Sequence, residues 1–219
     1  MVSAVAFSVL AATATAQNAP AQQQEWRFYG SDAASSKYVP LSQINAGNVS
    51  ELEVVWVWDT PDNAIFAQDD RASAGEYKST PIMIDGVLYV STSLGQVAAI
   101  DAATGEQHWV FDTGSWQRGR HPNFNNNHRG VSWWDDGGDG RLFMAANDGL
   151  LWSLNAGTGE PDVTFGDDGV VDLKQGLGRD TQIGLYGAIS PPMIINGVVV
   201  VGSSISDGPL FQDQVPPGH

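Results

Sequence analysis

The sequence predicts an all-β chain assembled from repeated four-stranded units, and three observations carry that prediction. Segments recur at a near-constant spacing. VWVWDT (55–60) returns as WVFDT ending at Thr113, 53 residues on, and IDAATGE (100–106) returns as LNAGTGE (154–160), 54 residues on. TPIMIDGVLYV (80–90) returns as PPMIINGVVVV (191–201) after 111 residues, close to two periods. A unit of that length is too long for helical repeats and suits a propeller blade with loop insertions. The chain also holds 25 Gly and 11 Pro among 219 residues, as many turns require. No segment carries a long amphipathic helical period.

Within one unit each element has a local cause. Residues 82–84 form a strand, and Asp85-Gly86 is a hairpin turn where glycine takes positive φ. Residues 87–91 form the next strand, and Gly95-Gln96 turns into 97–100. Asp101 to Gly105 is a tight loop in which the aspartate accepts backbone N–H bonds, and 107–111 is the fourth strand. The following unit repeats this with 141–145, an Asn147-Asp148-Gly149 turn, 150–154, and 155–159. These strands are continuously apolar, as when both faces pack against neighbouring sheets. Residues 42–51 suit one short helical turn capped by Asn45 or Asn48. Trp56, Trp109 and Trp152 read as packing residues between blades, and Val163 stands where the Trp109 pattern calls for tryptophan.

The ends read differently. Residues 1–16 are apolar and reach Ala14-Thr15-Ala16, a secretory h-region with its cleavage site, although no basic residue precedes Arg27. That stretch is too short to span a bilayer, and a buried helix is its other reading. Residues 17–24 form a polar Ala/Gln linker, and 25–219 is the propeller part, holding about three and a half units. A propeller closes only with ~4–8 blades, so the chain is expected to be truncated and completed by further chain.

Composition excludes other classes. Ten basic against 25 acidic residues leave a net charge of −15, which disfavours nucleic acid and anionic membranes. The absence of Cys removes disulfides, thiolate zinc sites and thiol nucleophiles. Asp135 to Gly140 superficially looks like a calcium loop, but Ala146 stands at its twelfth position where an EF-hand needs Glu. Gly176-Leu-Gly178 lacks the third glycine of a dinucleotide fingerprint. No P-loop, G-x-S-x-G or H-E-x-x-H occurs.

The unit ending D-A-x-T-G-E-x-x-W-x-F-D, present as Asp101 to Asp112, resembles the tryptophan-docking repeat of the quinoprotein alcohol and glucose dehydrogenases. The opening EWRFYGSDAASSKYVPLSQINAGNVSELEVVWVWDT (25–60) is similar to their first-blade segment. HRGVSWW (128–134) resembles the segment that meets their cofactor. PDVTFGDDGVVDLKQGLG (161–178) and SPPMIINGVVVVGSSISDG (190–208) resemble the glucose-dehydrogenase branch.

The resemblance implies an eight-bladed propeller, of which this chain is an N-terminal part of three to four blades. It implies pyrroloquinoline quinone (PQQ) as cofactor, with a divalent metal, Ca²⁺ or Mg²⁺. It implies oxidation of a sugar or alcohol C–OH to C=O: a base takes the hydroxyl proton, hydride passes to the quinone, and electrons leave to ubiquinone or cytochrome c in the periplasm. An upstream membrane anchor is compatible with that setting. The catalytic aspartate is expected beyond residue 219, so the isolated chain is expected to be inactive.

Site residues follow from the same matches. Arg129 is expected beside the quinone's carboxylate and carbonyl oxygens, because a guanidinium fork matches that geometry. Asp207 is expected to ligate the metal, since hard cations take carboxylate oxygens. Ser203 and Ser204 are placed to hydrogen-bond the cofactor. Lys78 stands where many relatives carry Glu or Gln, with Glu76 as a nearby acidic alternative. His128 is a further cofactor candidate, with a loop histidine satisfied by backbone as its rival reading; His108 reads as structural. The other functional class is a non-catalytic propeller of the same repeat, a periplasmic scaffold or outer-membrane assembly factor, which would not need Arg129 and Asp207 together.

Overall fold

The computed structural model describes residues 25–70, 72–73, 75–118, 125–135, 137–178, 181, 185–206 and 215. Residues 1–24 and Asp207 lie outside them, and with them the secretory segment, the linker and the metal ligand expected from sequence. Two four-stranded antiparallel sheets dominate. The first runs β1 (Ile82–Ile84), β2 (Val87–Ser91), β3 (Gln96–Asp101) and β4 (Gln107–Asp112) in sequential order. The second runs β5 (Ser132–Trp134), β6 (Arg141–Ala145), β7 (Leu150–Asn155) and β8 (Val170–Asp172) in the same order. Each is an up-and-down blade. A third unit begins with β10 (Met193–Ile195) and β11 (Val198–Val200), while β9 (Tyr186–Gly187) pairs with β12 (Ser204–Ile205). Two short helices, α1 (Asp62–Phe66) and α2 (Ser115–Arg118), flank the first blade.

Strand positions follow the expected turns. Asp85-Gly86 and Asn196-Gly197 both hold positive φ at the tips of matching hairpins. Asp101 closes the β3–β4 turn by accepting the Ala103 and Thr104 N–H groups on Oδ1, at 2.9 and 2.7 Å. Asn155 does the same for Thr158 at 2.9 Å. The expected turn near 42–51 is a 3₁₀ helix, Val49–Glu51, after Asn48. Its first N–H groups gain no side-chain cap, because Asn48 Oδ1 is spent on the Asn45 N–H at 2.8 Å. Among the described residues two blades are complete and a third is begun, and the extended segment of Trp56 and Trp58 packs on the first, in keeping with the part-propeller that the spacing suggests.

Three apolar layers explain why the strands do not alternate. On the first blade, Tyr89, Val97 and Ala99 face Leu142, Met144 and Leu154 of the second. From the other face Val90, Ala98 and Ile100 meet Trp56 and Trp58 of the preceding extended segment. Phe143, Ala145 and Leu151 pack against Ile194, Val199 and Val201 of the third unit. Both faces of the two complete blades are therefore covered, while the third unit leaves Met193, Ile195, Val198 and Val200 exposed.

Two tryptophans fasten one unit to the next. Trp56 Nε1 donates to the Ala102 carbonyl at 3.2 Å with its ring over Gly105, and Trp109 Nε1 donates to Ala156 at 3.0 Å over Gly159. A Cβ at Gly159 would lie 2.5 Å from the Trp109 ring, so only glycine fits under the indole. Trp152 packs differently, edge-on to Phe111 with centroids 5.2 Å apart. Val163 is 71% exposed, as expected where the docking tryptophan is lost.

Gly159 and Gly176 share nearly the same positive φ, 75° and 79°, yet a Cβ at Gly176 meets nothing within 4 Å. Gly176→Ala should therefore cost only the left-handed backbone penalty of about 1–2 kcal/mol. Gly159→Ala should cost distinctly more, because it also displaces the indole. Urea denaturation of the two variants measures the difference.

Candidate active site

The antiparallel pairing puts the loops at two ends. The segments leading into β1, β5 and β10 share one end with the β2–β3 and β6–β7 turns; the β1–β2, β3–β4 and β5–β6 turns share the other. At the first end the three lead-in segments are joined by backbone bonds. The Thr80 N–H donates to the Arg129 carbonyl at 2.9 Å, and the Arg129 N–H donates to the Ile189 carbonyl at 2.8 Å. Gly75 N–H reaches Asn126 O at 2.8 Å, and Ser204 sits opposite Gly187 in the β9–β12 pair. Such close approach depends on Gly130, where a Cβ would lie 2.9 Å from the Thr80 carbonyl oxygen at a φ of 143°.

This circuit brings Lys78, Arg129, Ser203 and Ser204 to one end of the inner strands. Arg129 is half-buried and lines a cavity of about 510 Å³ along β5 and β10. Phe28, Tyr29, Trp133, Pro191 and Ile194 supply its apolar wall. Four arginines lie among the described residues. Arg27 pairs with Glu25, Arg118 with Asp148 and Arg141 with Asp162, whereas no carboxylate or hydrogen-bond partner meets the Arg129 guanidinium. An unpaired guanidinium on a residue lining an aromatic-walled cavity suits a flat anion bearing carboxylates, and Asp32 and the Glu25-paired Arg27 line the same cavity.

The other candidates are distributed more loosely. Lys78 Nζ pairs with Glu76 at 2.7 Å, and that bond holds the Glu76 carboxyl below its usual range. Ser203 is exposed and Ser204 half-buried, and neither lines the cavity. His108 is exposed on β4. His128 is 2% exposed, its ring turned under the first blade near Gly95. Asp135 makes an ordinary turn, accepting the Gly137 N–H at 2.8 Å. Among the described residues no group of three or more His, Asp or Glu is placed to hold a metal ion, and none of their helices is long and apolar enough to cross a membrane.

Sequence reasoning missed the cavity wall. Phe28 and Tyr29 lie far from Arg129 in the chain, and nothing local ties them to it. A usable signal was the TPIMIDG/PPMIING repeat, which aligns Pro191 and Met193 with the lead-in to β1 and so places them at the same end.

The glucose/ethanol/alcohol dehydrogenase PQQ β-propeller domain matches residues 26–219. The chain belongs to this PQQ-dehydrogenase family. It is 31% identical over 218 residues to the quinoprotein glucose dehydrogenase of Escherichia coli K12, covering 90% of this chain and 26% of that protein. It is 31% identical over 180 residues to a 1-butanol dehydrogenase (cytochrome c) of Thauera butanivorans, covering 82% and 22%. The crystal structure of the quinohemoprotein alcohol dehydrogenase from Comamonas testosteroni superposes with a TM-score of 0.64 at 26% identity, over 85% of this chain and 24% of the other. The chain thus spans about a quarter of the length of these relatives. The part-propeller expected from sequence and the observed blades agree with this family.

Burial gives His128 a pH signature. Desolvation pushes its pKa down to about 4 from an ordinary 6.5. The unfolded chain binds this proton at higher pH than the folded one, so the stability linked to neutral His128 is complete above pH 6.5. It declines as pH falls from 6.5 towards 4. Between pH 7 and 4.5 the wild type should lose about 2–3 kcal/mol more than His128→Gln. Urea denaturation at both pH values checks this.

Proposed function

We propose that this chain is the cofactor-gripping part of a periplasmic quinoprotein dehydrogenase that oxidises a sugar or alcohol C–OH to C=O and passes electrons to a respiratory quinone or cytochrome. The unpaired guanidinium of Arg129, a residue lining the aromatic-walled cavity, is the observation that carries this reading. PQQ is a flat tricarboxylate, and the donor set fits it. The Arg129 guanidinium would hold a carboxylate and a carbonyl oxygen. Lys78, Ser203 and Ser204 would add donors from the same end, and Phe28, Tyr29 and Trp133 would keep water from the apolar side. When bound, the quinone supplies the hydride acceptor that side chains lack. Ca²⁺ or Mg²⁺ held by Asp207 belongs to the same proposal.

Charge placement supports the reading. Asp85, Asp101, Glu106, Asp139, Glu160 and Asp162 sit in turns at the end opposite Arg129. Carboxylates at the Arg129 end are engaged locally: Asp62 by Leu94 and Gln96, Glu76 by Lys78, Asp148 by Arg118 and Asp172 by Lys174. Screening over ~8 Å at physiological salt leaves the local guanidinium dominant.

The test is a titration of the full-length protein with PQQ plus Ca²⁺ or Mg²⁺, followed by tryptophan fluorescence. Dye reduction with glucose and simple alcohols comes next. Uptake at micromolar cofactor with turnover supports a dehydrogenase; no uptake supports the scaffold. Arg129→Ala should weaken cofactor binding by about 1.5–3 kcal/mol, the range of a charge-assisted hydrogen bond. The 219-residue chain expressed alone should give no dye-linked turnover, and measurable turnover would overturn the view that the remaining blades complete the site.

A further inference from the structure

His128 and Arg129 are consecutive, yet they serve opposite sides of one segment. Arg129 lines the cavity along β5 and β10. The His128 ring is buried beneath the first blade, with Nε2 3.0 Å from the point where a Cβ of Gly95 would stand. Such alternation is what an extended backbone imposes.

The ring has no hydrogen-bonded claim on its burial. Neither Nδ1 nor Nε2 has a partner, and the Ala145 carbonyl faces the ring without closing a well-formed hydrogen bond. The nearby hydroxyls are spent elsewhere: Thr113 Oγ1 donates to the Gly95 carbonyl at 2.7 Å, and Ser115 Oγ donates to Leu94 O at 3.3 Å. Unsatisfied buried nitrogens are costly, and an apolar side chain would avoid that cost. What the imidazole does provide is shape. It is a wedge from the second blade's lead-in segment, inserted under the β2–β3 turn of the first, where Gly95 at φ +85° leaves room for it. The adjacent Arg129 backbone is bonded on both sides, to Thr80 and Ile189. A segment pinned at one residue by backbone and at the next by a wedged ring has little freedom to turn.

We propose that His128 is the positioning residue for Arg129: its ring, keyed under the Gly95 turn, fixes the direction in which the Arg129 guanidinium faces an anionic ligand. This rests on Arg129 being the anion-facing group. It assigns His128 no contact with the cofactor.

Hydrogen exchange of the full-length protein, read by mass spectrometry without cofactor, tests the wedge. His128→Ala should speed exchange of the Arg129 and Thr80 amides about tenfold or more while the 97–100 and 142–144 amides hold their rates. His128→Gln, which keeps a planar group of similar reach, should restore most of the protection. Unchanged exchange at Arg129 and Thr80, or a uniform rise across both blades, would overturn the proposal. Should His128→Ala fail to fold, Gly95→Ala displaces the ring without removing it and carries the same expectation. A PQQ titration then links wedge to site. The loss of affinity caused by His128→Ala should shrink to less than about twofold in an Arg129→Ala background. An equal loss in both backgrounds would contradict action through Arg129. If Arg129→Ala alone leaves PQQ affinity unchanged, the functional reading fails, while the exchange result still decides whether His128 holds the segment.

Discussion

A short run of backbone hydrogen bonds at one end of the inner strands holds the rest in place. Thr80 bonds to Arg129 and Arg129 to Ile189, so three successive units are joined where their innermost strands begin. Strand pairing alone would not achieve this, because each blade completes its pairing internally. Gly130 is the enabling residue: any side chain there would press on the Thr80 carbonyl. Elsewhere, tryptophans docked over Gly105 and Gly159 set the spacing from the opening segment to the first blade and from the first blade to the second. The first two blades are thus joined by two separate sets of contacts, and the apolar layer between them fills what these contacts define.

The same bonds decide the electrostatics. They bring Arg129 to the cavity while its three described counterparts are each neutralised by a neighbouring carboxylate. Among the described residues Lys37 also has no ion-pair partner, but it is exposed and does not line the cavity. Most turn carboxylates are absorbed locally, capping backbone N–H groups as Asp101 and Asp135 do. Asp112, Asp148 and Asp172 do the same at the Arg129 end, where each caps a turn N–H group.

Much of this was legible in the sequence because turns and blade faces are local. Asp-Gly and Asn-Gly mark the hairpins, continuous apolar runs mark strands covered on both sides, and the Trp109 pattern predicts docking over the next unit. Arg129 was legible from a motif. The direction of His128 was not, since its rival readings differ only in which side of an extended segment the ring occupies. Phe28 and Tyr29 reach the cavity through folding of the opening segment, where the Trp26–Met83 bridge brings distant residues together. Nothing in the spacing of one repeat reports a contact of that kind.

The most direct measurement is mass-mapped phenylglyoxal labelling of arginines with and without saturating PQQ. Arg129 should react in the free protein and be shielded when PQQ is present, while Arg141, paired with Asp162 at the opposite end, should keep its reactivity unchanged. Equal labelling of Arg129 with and without the quinone would contradict the claim that this clasp presents an anion-binding guanidinium.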